Sequence, residues 1–188
     1  ETLDIHAGGI DHIPVHHTNE IAQSEAATGK PFAKTWVHSN FMLVDGQKIS
    51  KSLQNGFTLA DLAEKGFDAL DLRMLVLQSH FQTESNFTWE VLEAARTRRK
   101  ELQAAADQRF QLHTSATYEN IDFADVGKQI QAVLDNNLNT PQALALVSSL
   151  VNDIEKHGVS QTQAAEFNEL LQLLDDLLGF NVLTSKDI

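Results

Sequence analysis

His16 and Glu20 stand four residues apart in Pro14-Val15-His16-His17-Thr18-Asn19-Glu20, so on a helix an imidazole and a carboxylate would share one face a single turn apart. Such a pair can ligate a divalent metal such as zinc, and it also describes an ordinary solvated helix face. Two donors do not make a tetrahedral centre. With no cysteine in the chain, further donors must come from His12, His17, water or another polypeptide segment. Just upstream, Gly8-Gly9 lets backbone approach a ligand closely, and Asp11 can accept hydrogen bonds from ribose hydroxyls at the carboxyl end of a strand; the same residues also read as a plain glycine turn. A second cluster, Lys48-Ile49-Ser50-Lys51-Ser52, flanks Ser50 with two ammonium groups in what reads as a mobile loop. Over a triphosphate, Lys48 and Lys51 would offset the charge that builds on phosphate oxygens during phosphoryl or nucleotidyl transfer, although alone they describe a solvated turn.

The elements that must position these groups follow from periodicity and punctuation. Leu3-Asp4-Ile5 reads as the tail of a strand entering a Gly8-Gly9 turn, with a helix from about His16 to Ala27 closed by Gly29 and Pro31. Trp36 to Ile49 reads as extended, Phe41-Met42-Leu43-Val44 running into Asp45-Gly46, a dipeptide favoured where both central residues of a hairpin turn need positive φ. Beyond the lysine loop the pattern is helical. Thr58 and Asp68 are candidate caps, Ala69 to Gln78 is an apolar helix, and Thr88 caps a longer one to about Gln111. Further on, Thr140-Pro141 starts a helix that Gly158 stops, and Ser160 with Gln163 forms a capping box for a helix ending at Gly179. Ala143, Val147, Leu150 and Ile154 line one seam, and Ala164, Phe167, Leu171, Leu174 and Leu178 another. With Phe123, Ile130 and Val133 on a preceding helix they predict a small antiparallel bundle after a linker at His113 to Asn120.

At 188 residues with 42% hydrophobic content, the chain can bury a core as one domain or two small ones. It has no apolar run of about 18 residues and no leader pattern, so neither a membrane span nor secretion is expected, and the cytoplasm is the default compartment. The formal charge of -12 argues against a protein that coats nucleic acid. The charge is uneven: residues 1–116 carry 15 acids and 11 bases, residues 117–188 carry 11 and 3. Contact with phosphate is therefore expected in the first part, where Arg96, Arg98, Arg99 and Lys100 form the densest basic stretch or simply a solvated helix face.

These residues, in this order, resemble class I aminoacyl-tRNA synthetases, and within them the cysteinyl-tRNA synthetase family. Lys48-Ile49-Ser50-Lys51-Ser52 is similar to the KMSKS signature with Ile for Met. His6-x-Gly8-Gly9-x-Asp11 followed by His16-His17-x-Asn19-Glu20-Ile21-Ala22-Gln23 resembles the cysteinyl block, and Asp68-Ala69-Leu70, Arg73, His80-Phe81, Asn86-Phe87 and Asn139-Thr140-Pro141 extend the likeness over nearly the whole chain. The resemblance implies an α/β fragment, the end of a Rossmann-like class I catalytic domain, followed by a mainly α-helical bundle. It implies His16 and Glu20 as two ligands of a zinc that grips the substrate cysteine as a thiolate. Lys48 and Lys51 are implied as the catalytic loop over ATP with Mg, and Gly9, Asp11, Ser50 and Lys51 as nucleotide-binding residues. Trp36 and His38 fall close to that pocket, although core packing explains Trp36 as well.

The same resemblance implies cysteine, ATP and tRNA(Cys) as partners, with the bundle cradling tRNA and Arg96 to Lys100 in use there. Ala7 stands where a glycine is usual, and Pro14 sits one place early. The family's cysteine ligands and its HIGH motif lie upstream, so the expectation is a carboxyl-terminal part that needs an amino-terminal half for adenylate formation. The expected organisation is 1–57 as catalytic portion, 58–115 as connecting helical region and 116–188 as tRNA-binding bundle, in a monomer. A cysteine-amino sugar ligase of low-molecular-weight thiol synthesis and a non-catalytic tRNA-binding or scaffold paralogue remain the competing readings. Asn19-Glu20 favours the synthetase over that amino sugar ligase, and intact His16, Glu20, Lys48 and Lys51 weigh against decay.

Overall fold

A computed structural model describes residues 2–50, 52–53, 55–114 and 121–184. The chain divides into two compact units, Glu1–Gly56 with Phe81–Phe87, and Phe57–His80 with Thr88–Ile188.

In the first unit, β1 (Leu3–Gly9) pairs in parallel with β2 (Ala33–Ser39), His6 beside Trp36 and Gly8 beside His38. Parallel neighbours require a crossover. Here it is a 3-10 turn at Ile10–His12, a π-helical turn at Ile13–His17 and α1 (Thr18–Thr28). The expected Gly8-Gly9 turn does not form: β1 continues through both glycines, and Gly9 is extended at φ -72°, ψ 154°. The α-helix also begins two residues later than His16. Pro14 has no amide hydrogen to give, and the Thr18 hydroxyl donates to the Ile13 carbonyl five residues back at 2.6 Å, which favours a wider turn before regular helix. Gly29 closes α1 as anticipated, left-handed at φ 65°.

β3 (Met42–Val44) leads into the Asp45-Gly46 turn, with φ 50° and 72° as the dipeptide requires. Val44 and Gln47 exchange backbone hydrogen bonds across it at 2.9 and 3.0 Å, but the returning arm goes no further. Instead β3 pairs in parallel with β4 (Ser85–Phe87), Met42 beside Ser85, a strand too short to leave a period in the sequence. Asn86 ties the two together, its Oδ1 accepting from the Gly46 amide at 2.8 Å.

The second unit is helical among its described residues, so a small α/β unit is followed by a mainly α-helical one, as expected. α2 (Leu59–Glu64) and α3 (Ala69–Leu77) carry reciprocal capping boxes, Thr58 with Asp61 and Asp68 with Asp71. Thr88 caps α4 (Trp89–Asp107), which packs on α3. α5 (Phe123–Asp135), α6 (Thr140–His157) and α7 (Ala164–Leu178) form the bundle, with Ile130, Val147, Ile154, Leu171 and Leu174 buried and the Phe123 and Phe167 rings 5.0 Å apart. Asn139 rather than Thr140 caps α6, its side chain accepting from the Gln142 amide. The Ser160 and Gln163 capping box does not form: the Ser160 hydroxyl donates to Gln163 Oε1 at 3.2 Å instead of accepting a backbone amide, and Gln163 Nε2 donates to the Ile121 carbonyl at 2.6 Å. In the expected linker, residues 115–120 lie outside the described residues, and His113 is fixed by backbone hydrogen bonds to Val159 and Gln161, each 2.9 Å.

Candidate active site

Side chains two apart on a strand share a face, so the register of β1 on β2 gathers His6, Trp36 and His38 on one side, with Gly8 beside His38. His17 fills the space that Gly8 leaves. A Cβ at Gly8 would lie 2.7 Å from His17 Cε1 and 2.9 Å from His12 Nδ1, so a side chain there and the buried His17 exclude each other. The glycine thus admits an imidazole of this same chain. At Gly9 the neighbour that a Cβ would meet is the Asp11 carboxylate.

His17 Nδ1 pairs with His38 Nε2 at 2.8 Å, one donating and one accepting. Burial pushes His17 below the usual imidazole value, and the neighbouring His6 and His38 push the same way against a smaller opposing pull from Glu20. Glu20 reaches back from α1 to this group. Its Oε2 accepts from His6 Nε2 at 3.0 Å, while its Oε1 lies 3.6 Å from His16 Nε2. Donor atoms of His6, His17 and Glu20 all lie within 4.8 Å of one another. The His6 ring stands edge-on to Trp36 at 4.9 Å, and Trp36 stacks on His38 at an interplanar angle of 5°.

The structure therefore brings His16 and Glu20 together, but His16 is the exposed member, its side chain 63% accessible. The inner donors include His6 and His17. Sequence reasoning weighed His17 and passed over His6, whose signal was its place two residues before Gly8 on the same strand face. Asp11 sits exposed in the 3-10 turn that follows β1.

The lysine loop is built around Asn55. Its Oδ1 accepts from the Ser50 amide at 3.0 Å, and its Nδ2 donates to the Lys48 carbonyl at 3.1 Å. Ser50 Oγ accepts from the Leu53 amide at 3.2 Å, and the Lys48 ammonium lies 4.2 Å from the centre of the Phe41 ring. Lys51 lies outside the described residues.

A family model described as the catalytic domain of class I (C) tRNA synthetases matches residues 1–97, and a DALR domain model matches residues 129–183. The chain belongs to the class I (C) tRNA synthetase family. Curated relatives named cysteine-tRNA ligase include that of Chlamydia muridarum, 39% identical over all of this chain and 43% of its own length. Those of Protochlamydia amoebophila (37%) and Polaromonas naphthalenivorans (41%) align with 95% of this chain and with 39% and 36% of their own lengths. The chain thus spans about two fifths of the synthetases it matches. A LeuRS of Agrobacterium radiobacter, solved in a ternary complex with tRNA and LeuAMS, shares the fold over 95% of this chain and 26% of its own, with a TM-score of 0.71 at 18% identity.

Synthetases of this family are expected to use ATP and zinc. Against a metal, the donor chemistry fits: the Glu20 carboxylate lies 3.6 Å from the His16 imidazole, an oxygen and a nitrogen donor that can face one divalent ion, with further imidazoles beside them.

Proposed function

We propose that this chain is the carboxyl-terminal part of a cysteine-tRNA ligase that uses ATP with Mg to form cysteinyl-adenylate and then transfers the cysteine to tRNA(Cys). The observation that carries this reading is the convergence of His6, His17 and Glu20, with His16 on the other carboxylate oxygen, in a chain whose relatives bear that name. His16 and Glu20 are the metal ligands in this proposal. His6 holds the second Glu20 oxygen, fixing the carboxylate as outer partners of metal ligands do. When bound, zinc gives the cysteine thiolate a soft partner that a serine hydroxyl cannot match.

Lys48 and Lys51 would offset charge on the triphosphate, and Gly9, Asp11 and Ser50 would line the nucleotide. Gly9 suits that position because its missing side chain leaves room for the Asp11 carboxylate. Residues 1–57 supply the catalytic portion, 58–115 the connecting region and 116–188 a bundle that receives tRNA, with the exposed Arg98 and Lys100 of the basic stretch on the phosphate side and Arg99 turned inward onto Asp71. An amino-terminal half completes the site. Leu3, Ile5, Ile10, Ile13 and Val15 are exposed aliphatic residues along β1 and the turns that follow it, the kind of surface another segment covers. The complete protein acts as a cytoplasmic monomer; in this chain no described helix is long and apolar enough to cross a membrane.

The test is complementation. Mixing this chain with a purified amino-terminal half of a relative should restore cysteine-dependent exchange of pyrophosphate into ATP. Two folded partners that form a complex and remain inactive would overturn the proposal.

A further inference from the structure

The lysine loop carries a residue that no motif reading used. Asn55 lies past the end of Lys48-Ile49-Ser50-Lys51-Ser52, yet its amide spans the loop: one end accepts the Ser50 N–H at 3.0 Å and the other donates to the Lys48 carbonyl at 3.1 Å. Two backbone groups of one short segment are thereby held by a single planar side chain, whose acceptor and donor sit at a fixed separation. Ser50 closes the inner turn through its hydroxyl, accepting from the Leu53 amide at 3.2 Å. The tip of Lys48 rests 4.2 Å from the Phe41 ring centre, a cation–π seat, while its own carbonyl is tied to Asn55. The backbone of Lys48 and Ser50 is therefore held although Ile49, Ser52 and Leu53 are exposed.

We propose that Asn55 is a positioning residue for the lysine loop: it holds the backbone of Lys48 and Ser50 so that the Lys48 ammonium enters the triphosphate site from one preset course. The proposal rests on the ligase reading for what the loop does, but its geometry belongs to this chain alone. Aspartate at this position would keep the acceptor for the Ser50 amide and lose the donor to the Lys48 carbonyl, so the two halves of the clamp can be separated. Alanine removes both.

The experiment has two arms. In the first, this chain is treated with trypsin, which cuts after Lys48 when the loop opens. Asn55→Ala should raise the rate of that cut on the order of 10-fold, as expected for loss of two neutral hydrogen bonds, and Asn55→Asp by less, with the thermal midpoint of the whole chain unchanged. In the second arm, the chain is complemented with an amino-terminal half and pyrophosphate exchange is measured. Asn55→Ala should lower kcat on the order of 10-fold while the KM for cysteine stays at the wild-type value, because the thiol site is built from other residues. A wild-type cutting rate in Asn55→Ala overturns the clamp, and faster cutting with unchanged kcat reduces Asn55 to a local structural role and overturns the proposal. If the wild-type mixture is inactive, the ligase reading fails and Asn55's part in catalysis with it, whereas the cutting rates still report whether Asn55 holds the loop.

Discussion

Glu20 divides its carboxylate between His6 at 3.0 Å and His16 at 3.6 Å, and His17 occupies the gap left by Gly8; both arrangements are consequences of single atoms. Gly8→Ala puts a methyl carbon where His17 and His12 now lie, and since the approach is under 3.0 Å something must move. We expect a loss of about 1–3 kcal/mol, the usual cost of overpacking, read by urea unfolding followed through Trp36 fluorescence. His17 carries a pH prediction. Its folded-state value lies below the ordinary 6.5, so as pH falls through that range the unfolded chain takes up the proton first. The stability tied to neutral His17 is full above about pH 6.5 and declines as the pH falls towards the folded-state value. His17→Phe should flatten that decline between pH 7.5 and 5.5 in denaturant titrations; an unaltered slope would place the pH sensitivity elsewhere.

Among the elements, α3 and α4 are joined by an ion pair that caps and packing make unusually dry. Asp71 is 1% exposed; its Oδ2 accepts from the Asp68 amide at 2.8 Å to complete the α3 capping box, and its Oδ1 accepts from Arg99 Nε at 2.6 Å. Removing the arginine leaves a buried carboxylate with half its partners. Arg99→Ala should therefore destabilise the helical unit by about 3–5 kcal/mol, whereas an exposed pair would give under about 1, and calorimetry distinguishes the two. The basic stretch was visible in the sequence as four cations in five residues, but not the turn of Arg99 inward onto Asp71. A helix face assigned to solvent or phosphate thus gives one of its members to the core, because α3 presents a carboxylate where α4 crosses it. Caps at Thr58, Asp68 and Thr88 were legible because a cap is a local contest between side chain and backbone. The Ser160 box does not form because the Ser160 hydroxyl is spent as a donor to Gln163 Oε1, a side chain whose other end is anchored to the distant Ile121 carbonyl.

In the complemented enzyme Lys51→Ala should cost about 2–4 kcal/mol of transition-state stabilisation, the loss typical of one preorganised electrostatic contact, measured as the fall in kcat for pyrophosphate exchange. A fall confined to the KM for cysteine would move the lysine out of the reaction. By itself the sequence determined what local chemistry can determine: the helices with their seams and the caps at Thr58, Asp68 and Thr88, the Asp45-Gly46 turn with its two positive φ values, and the two clusters whose order pointed to the synthetase family. Periodicity and capping depend on neighbours a few residues away, so one strand of text contains them. Only the tertiary structure decided that β3 pairs with β4 rather than folding back as a hairpin, and that His6, Gly8, Trp36 and His38 come to one face. It likewise decided that Gly8 makes room for an imidazole of the same chain. Those outcomes depend on parallel register between segments separated by a crossover, and register is set by packing across the sheet, which no window of sequence records.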